Sequence, residues 1–476
     1  MAFLAVLVLG LAGIALWLAI ILRWRWGLLG LLLYLPFAGI VTLKLQPNKI
    51  PLILKDIAFV LPAYLSFFVF HARELKSAPI PRPVLWAISF LAFLVVVQVL
   101  NPGVVNWMVA AIGTKVWLFY IPVMFLTAAY FRDMGDVVRL LRVLVVLSIV
   151  PCAIGVLQWM GSIAFGYEAV MTGFYGDAAR GATQGFASHS YGALLYRIPS
   201  TFTFVSQYFG YTFGMVVFGY CLMRLDPHPA WRKFGQIMMA FFVLASALSG
   251  ARGAYVFIPL LLVTITLLDQ KLSGIFAVVA VVPIIILVAM SLAGLDPELL
   301  FRDTTFLIGH YGREIVYENL INAFIEYPLG SGTGMNTGAA RHAFASESSA
   351  SSKLLFLENY YAKAMVELGF IGFPAAVAVF VAIIMSGLRI RARLTDPGLR
   401  SAAAATTAFF ITIAIHSTKG WQIDYDPLNV YIWVFAGLLF KLPLLDSRNR
   451  QHEAQRRRID AALRARRRAA RGRPSS

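Results

Sequence analysis

Charge is scarce in this chain of 476 residues: 13% of its side chains are acidic or basic, 59% are hydrophobic, and the mean hydropathy is +0.75. That excludes an ordinary soluble domain, in which roughly a quarter of residues carry charge. Cysteine is nearly missing. Cys152 and Cys221 each fall inside an apolar run, which excludes a disulfide framework and a cysteine metal cluster and leaves both as packing residues. Walker loops, dinucleotide fingerprints and nucleotide-binding cassettes are absent, so neither a primary pump nor a kinase is indicated. No internal repeat is visible, which weighs against a secondary carrier built from two related halves. The formal charge of +18 does not point to nucleic acid either. Eleven arginines and three acids between Asp446 and Ser476 account for eight of those charges, so basicity belongs to the tail.

What the sequence has is long apolar runs, near the ~20 residues a bilayer-crossing helix needs. About thirteen are expected, beginning near Met1, Gly27, Ile50, Val84, Val116, Val137, Ser200, Phe234, Ala254, Leu272, Asn359, Ser401 and Pro427. The reading is an all-α, polytopic membrane protein, with residues 1–446 as the multi-span domain, 293–357 as a large extracytoplasmic loop within it, and 447–476 as a basic cytoplasmic tail. The first run has no basic residues before it, and Arg23 and Arg25 follow it, so it reads as a retained span. Lys and Arg in short loops mark the cytoplasmic side. Counting back from the tail, Arg389 to Arg400, Lys271, Arg224 to Lys233, Arg132 to Arg142, Arg73 to Arg82, and Arg23 with Arg25 fall on that side. The loop 293–357, with seven acids and four bases, falls outside. The tail, with alanine and leucine at helical spacing, is expected along the anionic inner leaflet, where each basic residue contributes ~1 kcal/mol.

"SGARGAYV", residues 249–256, places Arg252 at the outer end of apolar runs of about fifteen residues each, too short for a full crossing. The turn is therefore expected to sit below the surface. An arginine at mid-membrane depth costs about 2.5–3.5 kcal/mol on insertion scales and normally faces a cavity or partner. The alternative is an interfacial side chain reaching lipid phosphate. Further on, "YGREIVYENLINAFIEYPLGSGTGM" begins with Arg313 and ends in a glycine-rich turn. "LENYYAKAMVELGFIGF" then opens a span with Glu358 and Asn359, with Gly369 and Gly372 inside it.

Together these segments resemble the O-antigen ligase and polymerase superfamily, membrane glycosyltransferases that join or extend lipid-linked bacterial glycans. "SGARGA" is similar to the family's small-residue arginine motif. "GR" followed by "PLGSGTG" is similar to its loop segment, and "ENYYAKAMVELGFIG" to its span-opening motif. "RIPSTFTFVSQYFGY", with Arg197, is a weaker match. The resemblance covers roughly Arg197 to Pro374. Ligases of the family usually carry histidine before the asparagine of the last motif. This chain has Glu358 there, as polymerase-like members often do, which favours polymerisation. His342 and His310 in the loop are the substitutes for that imidazole, with His189 and His416 as weaker outward candidates.

The resemblance implies a GT-C-like enzyme of the bacterial inner membrane whose active site faces the periplasm or exterior. Its donor would be an undecaprenyl-pyrophosphate-linked oligosaccharide and its acceptor a growing glycan. Such a donor is already activated, so no cofactor is expected. Arg252 and Arg313, helped by Arg197, are the candidates for gripping the pyrophosphate, because guanidinium matches phosphate oxygens in fork geometry. Glu358 is the candidate base for the attacking hydroxyl. Asn359, His342 and Tyr361 are the remaining candidate substrate contacts, tyrosine being suited to stacking on sugar rings. Asp303, Glu314 and Glu318 lack paired-carboxylate spacing, so no metal is expected. Membrane lipids are further expected partners, as is a chain-length or export protein on the tail. The reading from another class is a carrier of a lipid-linked glycan or an anion, whose critical residues would lie nearer the midplane.

Overall fold

The computed structural model describes residues 2–45, 50–177, 196–270, 317–344, 354–355 and 357–471, excepting the side chains of 2–9, 342, 452, 453 and 456–471. Every regular element among them is a helix. The chain begins with α1 (Ala2–Leu22), α2 (Trp24–Lys44), α3 (Pro51–Phe70), α4 (Arg82–Val99), α5 (Trp107–Tyr130) and α6 (Met134–Phe165), then a short α7 (Tyr167–Tyr175). The helices α8 (Val205–Leu225), α9 (Pro229–Leu248) and α10 (Arg252–Asp269) follow. Two short helices, α11 (Asn319–Glu326) and α12 (Gly338–Ala343), precede α13 (Tyr360–Leu368). Finally come α14 (Gly372–Arg393), α15 (Pro397–His416) and α16 (Leu428–Arg471).

Nine helical stretches among the described residues are long and apolar enough to cross a bilayer, against about thirteen expected. Of the four expected runs not among the nine, that from Met1 is described with its side chains only from Gly10 to Leu22, that from Leu272 is not described, and the other two are α8 and α9. The helices α8 and α9 have the length but are less apolar. Tyr208, Tyr211 and Tyr220 of α8 can be tolerated because protein, not lipid, surrounds that helix. The run expected from Asn359 is divided: α13 stops at Gly369, whose φ of 80° breaks the helix, and α14 restarts at Gly372. The run from Leu272 lies outside the described residues. Around Arg252 the expectation of short spans also needs correction. The helix α9 starts at Pro229, ahead of its apolar run, and α10 starts at Arg252 itself, giving helices of 20 and 18 residues.

The centre of the bundle is α15, packed against α8, α10, α14 and α16. Ala402, Ala403, Ala404 and Ala405 are fully buried there, since small side chains let helix backbones approach where lipid supplies no hydrophobic drive between helices. The same economy appears at Gly387 of α14, where a Cβ would lie 2.4 Å from Thr407 Oγ1 of α15. Outward, α4 exposes Trp86, Phe93 and Val96, and Leu100 follows just past its end, a belt suited to lipid and not to water.

The loops gather at two ends. One end holds the basic segments: Arg25 pairs with Glu74 at 2.8 Å, Arg142 grips Asp226 through two bonds of 2.7 and 2.8 Å, and Arg224 meets Asp269 at 3.3 Å. Beside them Asp446 accepts from the Thr395 hydroxyl and the Asp396 N–H. From there α16 runs on into the arginine tail as one helix of 44 residues. The opposite end holds the site.

Candidate functional site

Five segments converge at that end. The backbone N–H of Ile198 donates to Ser249 O at 2.9 Å, joining the segment of Arg197 to the turn between α9 and α10. Gly250 makes the junction possible: its φ is 69°, and a Cβ there would lie 2.3 Å from Tyr196 O. Beyond the turn, Arg252 is the first residue of α10. A cation in a first turn opposes the helix dipole by roughly 0.3–1 kcal/mol, so this position does not serve the helix. A helix start that carries a cation is a place where an anion can be held.

Below Arg252 lies His416, the last residue of α15. Gly253 leaves it room, a Cβ there being 3.2 Å from Nε2, and its ring packs against Phe257 at 4.0 Å and Phe209 at 5.5 Å. The next carbonyl, Ser417 O, accepts from Tyr360 N–H at 3.0 Å and so fixes the start of α13. Asn359 caps that helix, its Oδ1 accepting from Tyr361 N–H (2.9 Å) and Ala362 N–H (3.1 Å). Glu358 stands just before the cap and is exposed.

Lys419 binds these segments into one electrostatic neighbourhood. Burial pushes its ammonium down from 10.5 to about 8; Arg252 lowers it further, Glu358 holds it up, and Arg197 again lowers it. Arg252, Glu358 and Arg197, from three other parts of the sequence, are thus the charges that bear on this one ammonium. Lys419 was not among the residues singled out in the sequence. The signal was available: the loop after α15 counts as external, where an isolated lysine runs against the usual charge bias.

The other candidates are placed as follows. Arg313, His310 and His189 lie outside the described residues, as do Asp303 and Glu314. His342 falls on α12, and its side chain is not described. The Tyr361 ring is buried against Phe373 and Phe380, and its hydroxyl donates to Ala414 O at 2.7 Å. Among the described residues no three His, Cys, Asp or Glu side chains gather as a metal site would require.

The glycine-rich turn acts as a buckle. Gly330, Gly332 and Gly334 all have positive φ, and a Cβ on Gly334 would lie 2.2 Å from Val109 O. The Gln98 amide donates to Leu329 O, the Asn101 amide to Gly330 O and the Thr333 hydroxyl to Val95 O, at 2.8, 3.0 and 2.7 Å. From the other side, the fully buried Glu367 of α13 accepts from Asn336 N–H, the Thr337 hydroxyl and Trp117 Nε1, at 2.8, 2.8 and 2.7 Å. The loop is thereby clamped between α4, α5 and α13, and its glycines serve close packing.

These features define a multi-pass, all-helical membrane protein with a cationic site at the ends of its helices. Residues 237–377 match the family model for the O-antigen ligase domain, and this stretch is therefore of the O-antigen ligase and polymerase superfamily. The match runs from α9 into α14, including Arg252, Glu358 and the buckle, while Arg197 and Lys419 lie outside it. It supports a glycan ligase or polymerase in surface polysaccharide synthesis. No curated protein matches the chain.

Proposed function

We propose that this protein extends a surface polysaccharide at the outer face of the bacterial inner membrane, taking its units from an undecaprenyl-pyrophosphate-linked oligosaccharide. The observation that carries the reading is that Arg252, Glu358 and Arg197 all lie near enough to Lys419 for their charges to bear on its ammonium. An acceptor hydroxyl attacks the anomeric carbon of the donor, and the bond from that carbon to the pyrophosphate oxygen breaks. The pyrophosphate leaves with the electron pair. Charge growing on its oxygens is met by fixed cations, the kind of stabilisation that weighs most in such reactions. Glu358 takes the hydroxyl proton. It stands exposed just before the capped start of α13, where an acceptor hydroxyl can reach it. Arg313 is proposed as a further arm of the clamp. Glu358 in place of histidine favours polymerisation over ligation.

The test is donor binding. A short-chain prenyl-pyrophosphoryl sugar is titrated into purified protein carrying Arg197→Ala, Arg252→Ala or Lys419→Met. Each variant is expected to bind it at least about tenfold more weakly, as when a hydrogen-bonded charge pair is lost. Unchanged affinity in all three would remove the clamp.

A further inference from the structure

Beside the cationic cluster lies a cavity of about 460 Å³ between α3, α5, α12 and the loop before α16, within the ~300–1,000 Å³ usual for ligand sites. We propose that this cavity is the saccharide subsite, seating uncharged sugar rings of the glycan while the cationic cluster holds phosphate. The assignment rests on the reading above and adds to it where the sugar lies.

Charge balance separates the two places. In the cluster, Arg252, Arg197 and Glu358 act on the ammonium of Lys419. In the cavity wall every charge is matched: Lys55 sits 3.4 Å from Asp56 and 3.0 Å from Asp426, Lys115 is 2.5 Å from Asp56, and Lys363 is 2.5 Å from Asp424. Among the described residues, such a wall has no surplus charge for a pyrophosphate. It does have unmet hydrogen-bonding capacity. Asp426 Oδ1 and Asn429 Oδ1 are buried without a hydrogen-bond partner, and Asn429 is only 8% exposed. Buried acceptors ordinarily find a donor, and sugar hydroxyls are donors without charge. Opposite them Ile53, Ile112 and Val116 offer apolar wall to the C–H faces of a pyranose.

The two places are connected. Lys419 and the cavity residues Asp424, Tyr425 and Asp426 belong to one ten-residue loop, Ser417–Asp426. Tyr425 lines the cavity and feels the charge of Glu358. A glycan lying along this loop would run from the carboxylate that takes its proton into the paired wall.

The probe is a neutral oligosaccharide hydrolysed from the producing cell's own surface polysaccharide. Ala339 lines the cavity from α12 and is exposed, so Ala339→Cys tolerates the fold and can be labelled with maleimide, while Cys152 and Cys221 are buried. The oligosaccharide is expected to slow labelling of that thiol, and prenyl pyrophosphate without sugar is not. In Asn429→Leu the oligosaccharide should bind about fivefold to tenfold more weakly, the loss of one neutral hydrogen bond. Affinity for sugar-free prenyl pyrophosphate should stay unchanged. If Asn429→Leu fails to fold, Ala339→Trp, which fills the cavity, is read in its place. Labelling indifferent to the oligosaccharide overturns the subsite, whether or not wild-type protein extends glycan. Protection in a protein that extends nothing keeps the subsite and overturns the reaction.

Discussion

Lys419 ties the site to pH in a way that can be worked from the structure. With its ammonium lowered from 10.5 to about 8, about nine in ten molecules carry the charge at pH 7 and about one in ten at pH 9. A pyrophosphate esterified at both ends does not titrate over that interval, so the change belongs to the protein. If the charged form is the one that binds, donor affinity falls about tenfold between pH 7 and pH 9. Lys419→Arg keeps the cation at every accessible pH, so its affinity should be flat over the same range. The sign for stability is opposite. Between pH 8 and 10.5 the unfolded chain holds more protons than the folded one, so the depressed lysine disfavours folding below pH 8 and ceases to do so as the pH rises through that window. Isothermal titration of a prenyl-pyrophosphoryl sugar at pH 7, 8 and 9 reads the binding side directly. Equal slopes in wild type and Lys419→Arg would refute the placement of this ammonium against the donor.

Other consequences follow from the same geometry. Glu358→Gln keeps size and removes the proton acceptor, so glycan extension should fall by roughly 10² to 10⁴-fold with donor affinity unchanged; extension near the wild-type rate would leave Glu358 as a helix-start residue. Lys363 is fully buried on Asp424, so Lys363→Met strands a carboxylate and should cost about 3–5 kcal/mol, read as an earlier thermal transition in detergent. Gly334→Ala forces a Cβ against Val109 O at a φ of 96° and should abolish folded yield, whereas Gly173→Ala, with open space around it, should leave yield unchanged.

The sequence made the class legible because lipid leaves few alternatives: long apolar runs must become helices, and the basic loops alternate with them. Span boundaries were harder. Pro229 to Lys233 are polar enough to read as loop, yet they complete the first turns of α9, and Gly369 reads as part of a continuous run although it ends a helix. Arg252 could be singled out because a charge stands there in an apolar setting, and its charge, with those of Arg197 and Glu358, bears on Lys419. It was not legible where residues work by long-range pairing. Lys55 and Asp426, or Trp117 and Glu367, are hundreds of positions apart, and no local pattern announces either pair. The role of the glycine-rich turn was not legible either: Gly330, Gly332 and Gly334, at positive φ, meet residues from distant parts of the chain, among them Glu367, Val104 and Val109.

The central claim is that chemistry occurs at the cationic cluster without any ion gradient. The direct measurement reconstitutes the protein in liposomes with lipid-linked oligosaccharide and equal solutions on both sides, and reads product length on a gel. The account predicts a ladder of extended glycans with wild-type protein, its loss with Arg252→Ala, and no requirement for a gradient. Unextended oligosaccharide appearing on the opposite leaflet, with no ladder, would contradict it and identify a carrier.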